Sequence, residues 1–351
     1  MPDKTAFDIE NAITVELSSH AASGVVDLVE SITFGSDGLR YRRLDVRSQL
    51  ARFIEPCFFH AYIKEELAGV YVLDKRQLLI QKQPVNAFYR GVLAVAEHWQ
   101  GTGVGAKLVE AAKRWMDVQS EADTVFSYGC IDESNHRSLN LLKRSGATVG
   151  PLLSMYVMYR QWPSATKELQ DLDDVSSQEV LRLLLEQNSD CSIQDVSKSP
   201  LPGFVLQDEK GIVMSARVTT SRFCIMQMGL AARLGVKLFV NPSAAARRRF
   251  DPHNFTYLSL SNVFIRRGCE SQWRGFLSAL LARHDCHFAA IYITTNSALF
   301  HRLQKANTFT RFLYSNKGSI RLVCSAYGQH AKTMLDASVS DDPMHLWPVD
   351  A

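Results

Sequence analysis

Six consecutive residues, Gln100-Gly101-Thr102-Gly103-Val104-Gly105, carry the clearest chemical signal in this chain of 351 residues. Glycines at 101, 103 and 105 remove the Cβ atoms that would keep a ligand away from the main chain. If a strand leads into such a loop and a helix leads out, backbone N–H groups and the positive end of the helix dipole converge on one point. The chemistry on offer is recognition of a phosphate or pyrophosphate by backbone.

The flanking elements must then place the loop. Ala87 to Val95 (AFYRGVLAV) is rich in aromatic and branched residues and predicts a strand running into the glycines. Beyond them, Val104, Leu108, Ala111, Ala112 and Trp115 recur at spacings of three and four, and Glu110 precedes Arg114 by four, which predicts an amphipathic helix. Upstream, Phe58 to Leu73 reads as a β-hairpin around Lys64-Glu65-Glu66. Downstream, Thr124 to Ile131 reads as a strand and Asn135 to Arg144 as a helix closed by Gly146.

Two nucleotide motifs compete for the loop. A Walker loop needs Gly, Lys and a hydroxyl residue at 106 to 108, where this chain has Ala106, Lys107 and Leu108, so it is discarded. A dinucleotide fingerprint fits as Gly101-x-Gly103-x-x-Ala106 and implies an NAD(P)-dependent oxidoreductase. It lacks the acidic residue about 20 positions on, because Ser127 and Tyr128 occupy that region.

The same order of elements recurs downstream. Gly203 to Val218 predicts a second hairpin, with Gly211 taken as the counterpart of Gly69, and Phe255 to Ser261 a strand. Ser271 to Arg283 then reads as a helix, Phe288 to Thr294 as a strand and Asn296 to Lys305 as a helix. Asn296 and Leu303 match Asn135 and Leu142 at one constant offset, so the pattern is a diverged internal repeat. The second copy is longer, with the surplus at Leu230 to Phe250, a predicted extra helix ending in Arg247-Arg248-Arg249. Where the first copy has its glycines, the second has Arg266-Arg267-Gly268-Cys269-Glu270, whose acidic residue would repel pyrophosphate. The second copy is therefore expected not to hold a pyrophosphate.

Hairpin, strand, Gln100-x-x-Gly103-x-Gly105 and the downstream Asn135-x-x-Ser138 helix together resemble the GNAT family of N-acetyltransferases. That resemblance implies an α/β chain of two tandem GNAT-like domains, each a mixed, mostly antiparallel sheet with splayed parallel central strands flanked by helices. Residues 1–163 would be the acyl-CoA-binding domain, 164–330 a degenerate domain without the pyrophosphate loop and 331–351 a C-terminal tail. It further implies acetyl-CoA, or another acyl-CoA, as cofactor. Its pyrophosphate would lie on the amides of Gln100, Gly101, Thr102, Gly103, Val104, Gly105 and Ala106, its pantetheine along Val95, with Asn135 nearby. The acceptor, a small-molecule or peptide amine, would attack the thioester directly.

For base and acid, Glu97 and His98 stand at the strand end, and Tyr89 and Tyr128 on the two strands that splay. Glu97 and Tyr128 are the favoured pair. The family often has a tyrosine acid where this chain has Leu142, and a phenylalanine where it has Ala147 after Gly146. A thiolate leaves tolerably at neutral pH, since free thiols titrate near about 8.5. The missing tyrosine also motivates a rival reading, a non-catalytic acyl-CoA sensor or interaction protein.

Composition bounds the partners. A net charge of +3, with 46% apolar and 21% charged residues, describes an ordinary globular protein and gives no whole-chain argument for nucleic acid or an anionic membrane. Seven cysteines occur singly with no C-x-x-C pair, the pattern of reduced thiols in a cytoplasmic protein. No apolar run approaches the roughly 18 residues of a membrane helix. His284-Asp285-Cys286-His287 lacks the spacing of a structural zinc site and reads as a surface turn. A homodimer stays open.

Overall fold

The computed structural model describes residues 12–36, 39–120, 124–159, 168–189, 193–197, 201–240, 242–244, 246, 250–294, 297–306, 320–328 and 331–333. The predicted boundary near 164, Asn296, the Arg247-Arg248-Arg249 run and most of the predicted tail lie outside them.

The first half begins with β1 (Ile13–Ser18), α1 (Val25–Ser31), β2 (Phe34–Ser36), β3 (Leu39–Arg43) and α2 (Val46–Leu50). The predicted hairpin follows as β4 (Pro56–Ile63) and β5 (Glu66–Ile80), joined at Lys64 and Glu65, both with positive φ. Two such residues make the tight primed turn that suits strand twist. A second turn of the same kind, at Gln81 and Lys82, leads into β6 (Gln83–Val95). Beyond the glycine loop come α3 (Val104–Gln119), β7 (Val125–Asp132), α4 (His136–Arg144) and β8 (Thr148–Tyr159). Gly146, at φ 90°, closes α4: its N–H bonds Lys143 O and the next N–H reaches back to Leu142 O.

The second half adds β9 (Gln170–Asp171), α5 (Asp174–Gln187), β10 (Ile193–Asp195), β11 (Gly203–Asp208) and β12 (Gly211–Met228). It continues with α6 (Leu230–Gly235), β13 (Phe255–Ile265), α7 (Trp273–Arg283), β14 (Phe288–Thr294), α8 (Ala298–Lys305) and β15 (Ile320–Tyr327). The predicted helix over 230 to 250 is shorter: α6 gives way to a π-helical turn at Val236–Val240. The two hairpin glycines also differ in role. Gly211 makes the turn itself at φ 99°, whereas Gly69 lies inside β5, where a Cβ would stand 2.9 Å from Val104 Cγ1.

A better repeat marker is a bulge in each copy. Tyr71 pairs with Leu93 but Leu73 with Arg90, so Gly91 and Val92 together oppose Val72. Likewise Asn262 and Val263 oppose Ala216. In both copies the bulged strand is parallel to the next one only over a short stretch. β6 meets β7 from Asn86↔Val125 to Tyr89↔Tyr128, and β13 meets β14 from Leu258↔Ala289 to Leu260↔Ile291. Each pair then diverges, which gives the expected splayed central strands twice.

Among the described residues the strands join one sheet in the order β1-β4-β5-β6-β7-β15-β8-β14-β13-β12-β11-β9, with β10 on β5, β3 on β12 and β2 on β3. β15, late in the chain, lies between β7 and β8 of the first half, and β8 in turn borders β14 of the second. The halves are thus stitched by long-range pairing. On the first half's sheet, α1 and α2 cover the face carrying Val70, Val72, Tyr89 and Tyr128, and α3 and α4 cover the face carrying Tyr71, Leu73 and Phe88. Among the described residues, no helix is long and apolar enough to cross a membrane.

Candidate active site

The glycine loop forms the cap of α3. Gly103, at φ 96°, occupies the left-handed region that a side chain resists, and Gly101 does the same at φ 90°. The first intrahelical bond runs from Lys107 N to Gly103 O at 3.0 Å, so the N–H groups of Val104, Gly105 and Ala106 have no acceptor within the helix. Nothing lies within 4 Å of a Cβ placed on Gly101. The Thr102 hydroxyl donates to Trp99 O at 2.7 Å and fixes the turn. Gln100 bridges the rim: its Nε2 donates to Val95 O at 3.2 Å and its Oε1 accepts from Arg137 of α4 at 3.3 Å. Free N–H groups, open space and a nearby guanidinium suit a pyrophosphate.

Asn135 caps α4. Its Oδ1 accepts from Ser138 N at 3.1 Å, which sets the start of the helix that carries Arg137 to the loop. Val95 ends β6, and beyond Tyr89 the edge of β6 that faces β7 has no strand partner among the described residues. That edge is where an extended amide-bearing ligand finds main-chain partners.

The apex of the divergence is built by glycines and a buried cation. A Cβ on Gly129 would stand 2.8 Å from Arg90 Cβ and 3.1 Å from Arg90 O, so only glycine lets β6 and β7 approach and then part here. Gly91 is required in the same way by the Phe53 ring, 2.5 Å from its would-be Cβ. The buried Arg90 guanidinium donates to Ser127 Oγ at 2.7 Å and Ser325 Oγ at 2.6 Å, tying β6, β7 and β15 together.

On the opposite face from α3, Tyr89 and Tyr128 form a tilted pair with centroids 5.4 Å apart. Tyr128 is 2% exposed and its hydroxyl donates to Asp195 Oδ2 at 2.8 Å. Burial, and then the Asp195 carboxylate, push the Tyr128 phenol well above its ordinary pKa, so it stays protonated. Beside them Arg76 lies over the Tyr89 ring at 5.9 Å and pairs with Asp74 at 2.5 Å. Asp74 also accepts from Ile54 N and Glu55 N. Burial raises its carboxyl pKa, against the pull of Arg76.

The loop residues, Val95, Arg137 and Asn135 are therefore gathered at the C-terminal end of β6, and Tyr89 with Tyr128 near its middle. Glu97 is exposed on a 3-10 turn (Glu97–Trp99) past the strand end, and His98 in that turn pairs with Glu66 at 2.8 Å. Tyr89 to Val95 is six strand positions, about 20 Å, so Glu97 and Tyr128 do not flank one reaction centre. Asp74, Arg76 and Asp195 carry no local signal in the sequence, because they meet Tyr128 only through sheet pairing.

In the second half the corresponding corner is filled. Arg302 of α8 reaches Glu270 Oε1 at 2.6 Å and Ile265 O at 2.5 Å, so the end of β13 and the approach to α7 are bridged by protein groups. His284, half-buried, packs edge-on to Phe204, and no group of metal-ligating side chains occurs among the described residues.

Residues 28–147 match the model of the acetyltransferase (GNAT) family. Among solved structures, the Saccharomyces cerevisiae N-myristoyltransferase with bound myristoyl-CoA shares the fold at 10% identity and a TM-score of 0.60, covering 93% of this chain and 88% of its own. A GCN5-related N-acetyltransferase from Anabaena variabilis aligns at 9% identity and a TM-score of 0.50, over 89% of this chain and 72% of its own. No curated protein matches the sequence.

Proposed function

We propose that this chain, whose residues 28–147 match the model of the acetyltransferase (GNAT) family, transfers an acetyl group from acetyl-CoA to a primary amine. The observation that carries the reading is the joint placement of a glycine-capped α3 and the unpaired edge of β6 beside the β6/β7 divergence. In this reading Gln100 to Ala106 hold the pyrophosphate, the edge of β6 up to Val95 holds the pantetheine arm, and Asn135 and Arg137 brace the rim. The thioester then lies toward the apex, where an unpaired β6 N–H can steady the developing oxyanion. Acetyl is proposed over longer acyl groups because the apex is walled by Tyr89, Tyr128 and Arg90, all buried. The coenzyme site belongs to the half before about residue 163 and the second half closes the acceptor side. Glu97 borders the solvent end of the loop, on the order of 20 Å from the apex.

Thiol release from acetyl-CoA against a panel of small and peptide amines tests the proposal, with a stoichiometric N-acetyl product expected for at least one. Tight acetyl-CoA binding without turnover of any amine favours the sensor reading. A thermal shift with NAD(P)H and none with acetyl-CoA overturns both.

A further inference from the structure

We propose that Asp195, contributed by the second half, is the proton acceptor that makes the Tyr128 oxygen a docking point for the acceptor ammonium. The inference rests on the acyl-transfer reading and names the acceptor subsite and the residues that serve it.

The geometry begins with direction. The Tyr128 hydroxyl donates its only proton to Asp195 Oδ2 at 2.8 Å. While that bond holds, the phenol cannot donate to a departing thiolate, and its free lone pair can only accept. Tyr128 is also the last residue of β7 paired with β6, so it stands at the apex toward which the thioester points. It lies on the face covered by α1 and α2, away from α3 and the glycine loop, so an amine would approach from the side opposite the phosphate cradle.

Asp195 is itself held in place. β10 pairs antiparallel with the far end of β5, Asp195 opposite Leu78, and Val196 N bonds Gln77 O at 3.0 Å. Asp195 Oδ1 accepts from Ser197 N at 2.8 Å, which leaves Oδ2 for Tyr128. The groups facing the pair are Arg76 and Asp74 from β5 and Tyr89 from β6. Two carboxyl groups stand against one guanidinium, a balance that favours a cationic amine over an anionic or neutral acceptor. Asp195 is half-buried, so protons can leave through it to water.

The proton path closes. An ammonium N–H proton passes to the Tyr128 oxygen as the Tyr128 proton passes to Asp195, which releases it to solvent. The freed nitrogen lone pair forms the C–N bond, the C–S bond breaks with its electron pair leaving on sulfur, and the remaining surplus N–H proton follows the same route. This is also a role for a second half that has lost its own loop: β10 brings one carboxylate across.

The test uses the full chain, acetyl-CoA and n-butylamine as a plain primary-amine probe. Asp195→Asn keeps the shape and one acceptor oxygen but removes the base. It is expected to lower kcat/KM for the amine about a hundredfold, to abolish the acid-side fall of the pH profile and to leave the acetyl-CoA Kd within about twofold. Tyr128→Phe should do the same, and the double variant should lose little more, as residues acting in one relay do. An unchanged pH profile, or equal losses of acetyl-CoA affinity and thermal stability, overturns the proposal. If n-butylamine is not turned over, its titration into the acetyl-CoA complex reads the same residue: about tenfold weaker binding in Asp195→Asn supports it, and equal or absent binding overturns it. Failure of the wild type to bind acetyl-CoA would instead sink the acyl-transfer reading, and shows in the first titration.

Discussion

Gly103→Glu puts the coenzyme assignment at risk in a quantitative way. The native φ of 96° lies where a side chain costs about 1–2 kcal/mol, so any substitution here lowers stability. The carboxylate adds a second effect, because it can reach within about 5 Å of a pyrophosphate seated on the α3 N-terminus. At an effective dielectric near 20, two unit charges at that distance repel by about 3 kcal/mol, on the order of a hundredfold in Kd. Gly103→Ala separates the two effects: it should lower Tm by a similar amount and leave acetyl-CoA affinity within a few-fold. Gly268→Glu is the internal control, since Gly268 has φ 85° and open space around its would-be Cβ in the corresponding loop of the second half. Isothermal titration with acetyl-CoA should rank wild type and Gly268→Glu together and Gly103→Glu far weaker. Equal affinities for Gly103→Glu and wild type, or equal losses in both Glu variants, would refute the reasoning.

Three further outcomes follow from the packing. Gly129→Ala drives a methyl to 2.8 Å from Arg90 Cβ and 3.1 Å from its carbonyl, so it should destabilise by about 1–3 kcal/mol in urea unfolding; an unchanged midpoint would mean that β6 and β7 do not meet at that contact. His60 accepts from Ala22 N at 3.1 Å, and burial holds its pKa below the ordinary value, so the folded state keeps it neutral. The unfolded chain then binds the extra proton first, and stability should fall as pH drops below about 6.5, by a slope that His60→Gln reduces; identical pH slopes in the two proteins would exclude it. Arg302→Ala should cost stability by stranding Glu270 and Ile265 O, yet calorimetry should still count one acetyl-CoA per chain, and a second site appearing would contradict the filled corner.

The sequence made the local parts of this molecule readable. Strand, glycine loop and helix at 87 to 119 follow from aromatic and branched residues, glycine spacing and 3.6-residue periodicity, and all appear close to their expected bounds as β6 and α3. The Gly146 cap and the hairpin turn at Lys64 and Glu65 are likewise local. The hidden parts depend on partners far apart in the chain. The insertion of β15 between β7 and β8 joins residues nearly 200 positions apart, and the Tyr128 to Asp195 bond spans 67 positions. Tyr128 was visible as an aromatic on a strand; the carboxylate that sets its proton was not. Nor did Gly69 and Gly211 differ as letters, although one serves a helix contact and the other a turn.

In the proposed complex an acyl-CoA lies along the open edge of β6, with its pyrophosphate on the α3 N-terminus and its reactive end near Tyr128. A crystal structure of the chain with a non-hydrolysable acetyl-CoA thioether analogue tests it most directly. Pyrophosphate oxygens are expected within hydrogen-bond distance of the N–H groups of the Gln100 to Ala106 loop, and the thioether between the diverging ends of β6 and β7. Density at the Arg266 to Glu270 loop of the second half, or an analogue bound away from β6 altogether, would contradict it.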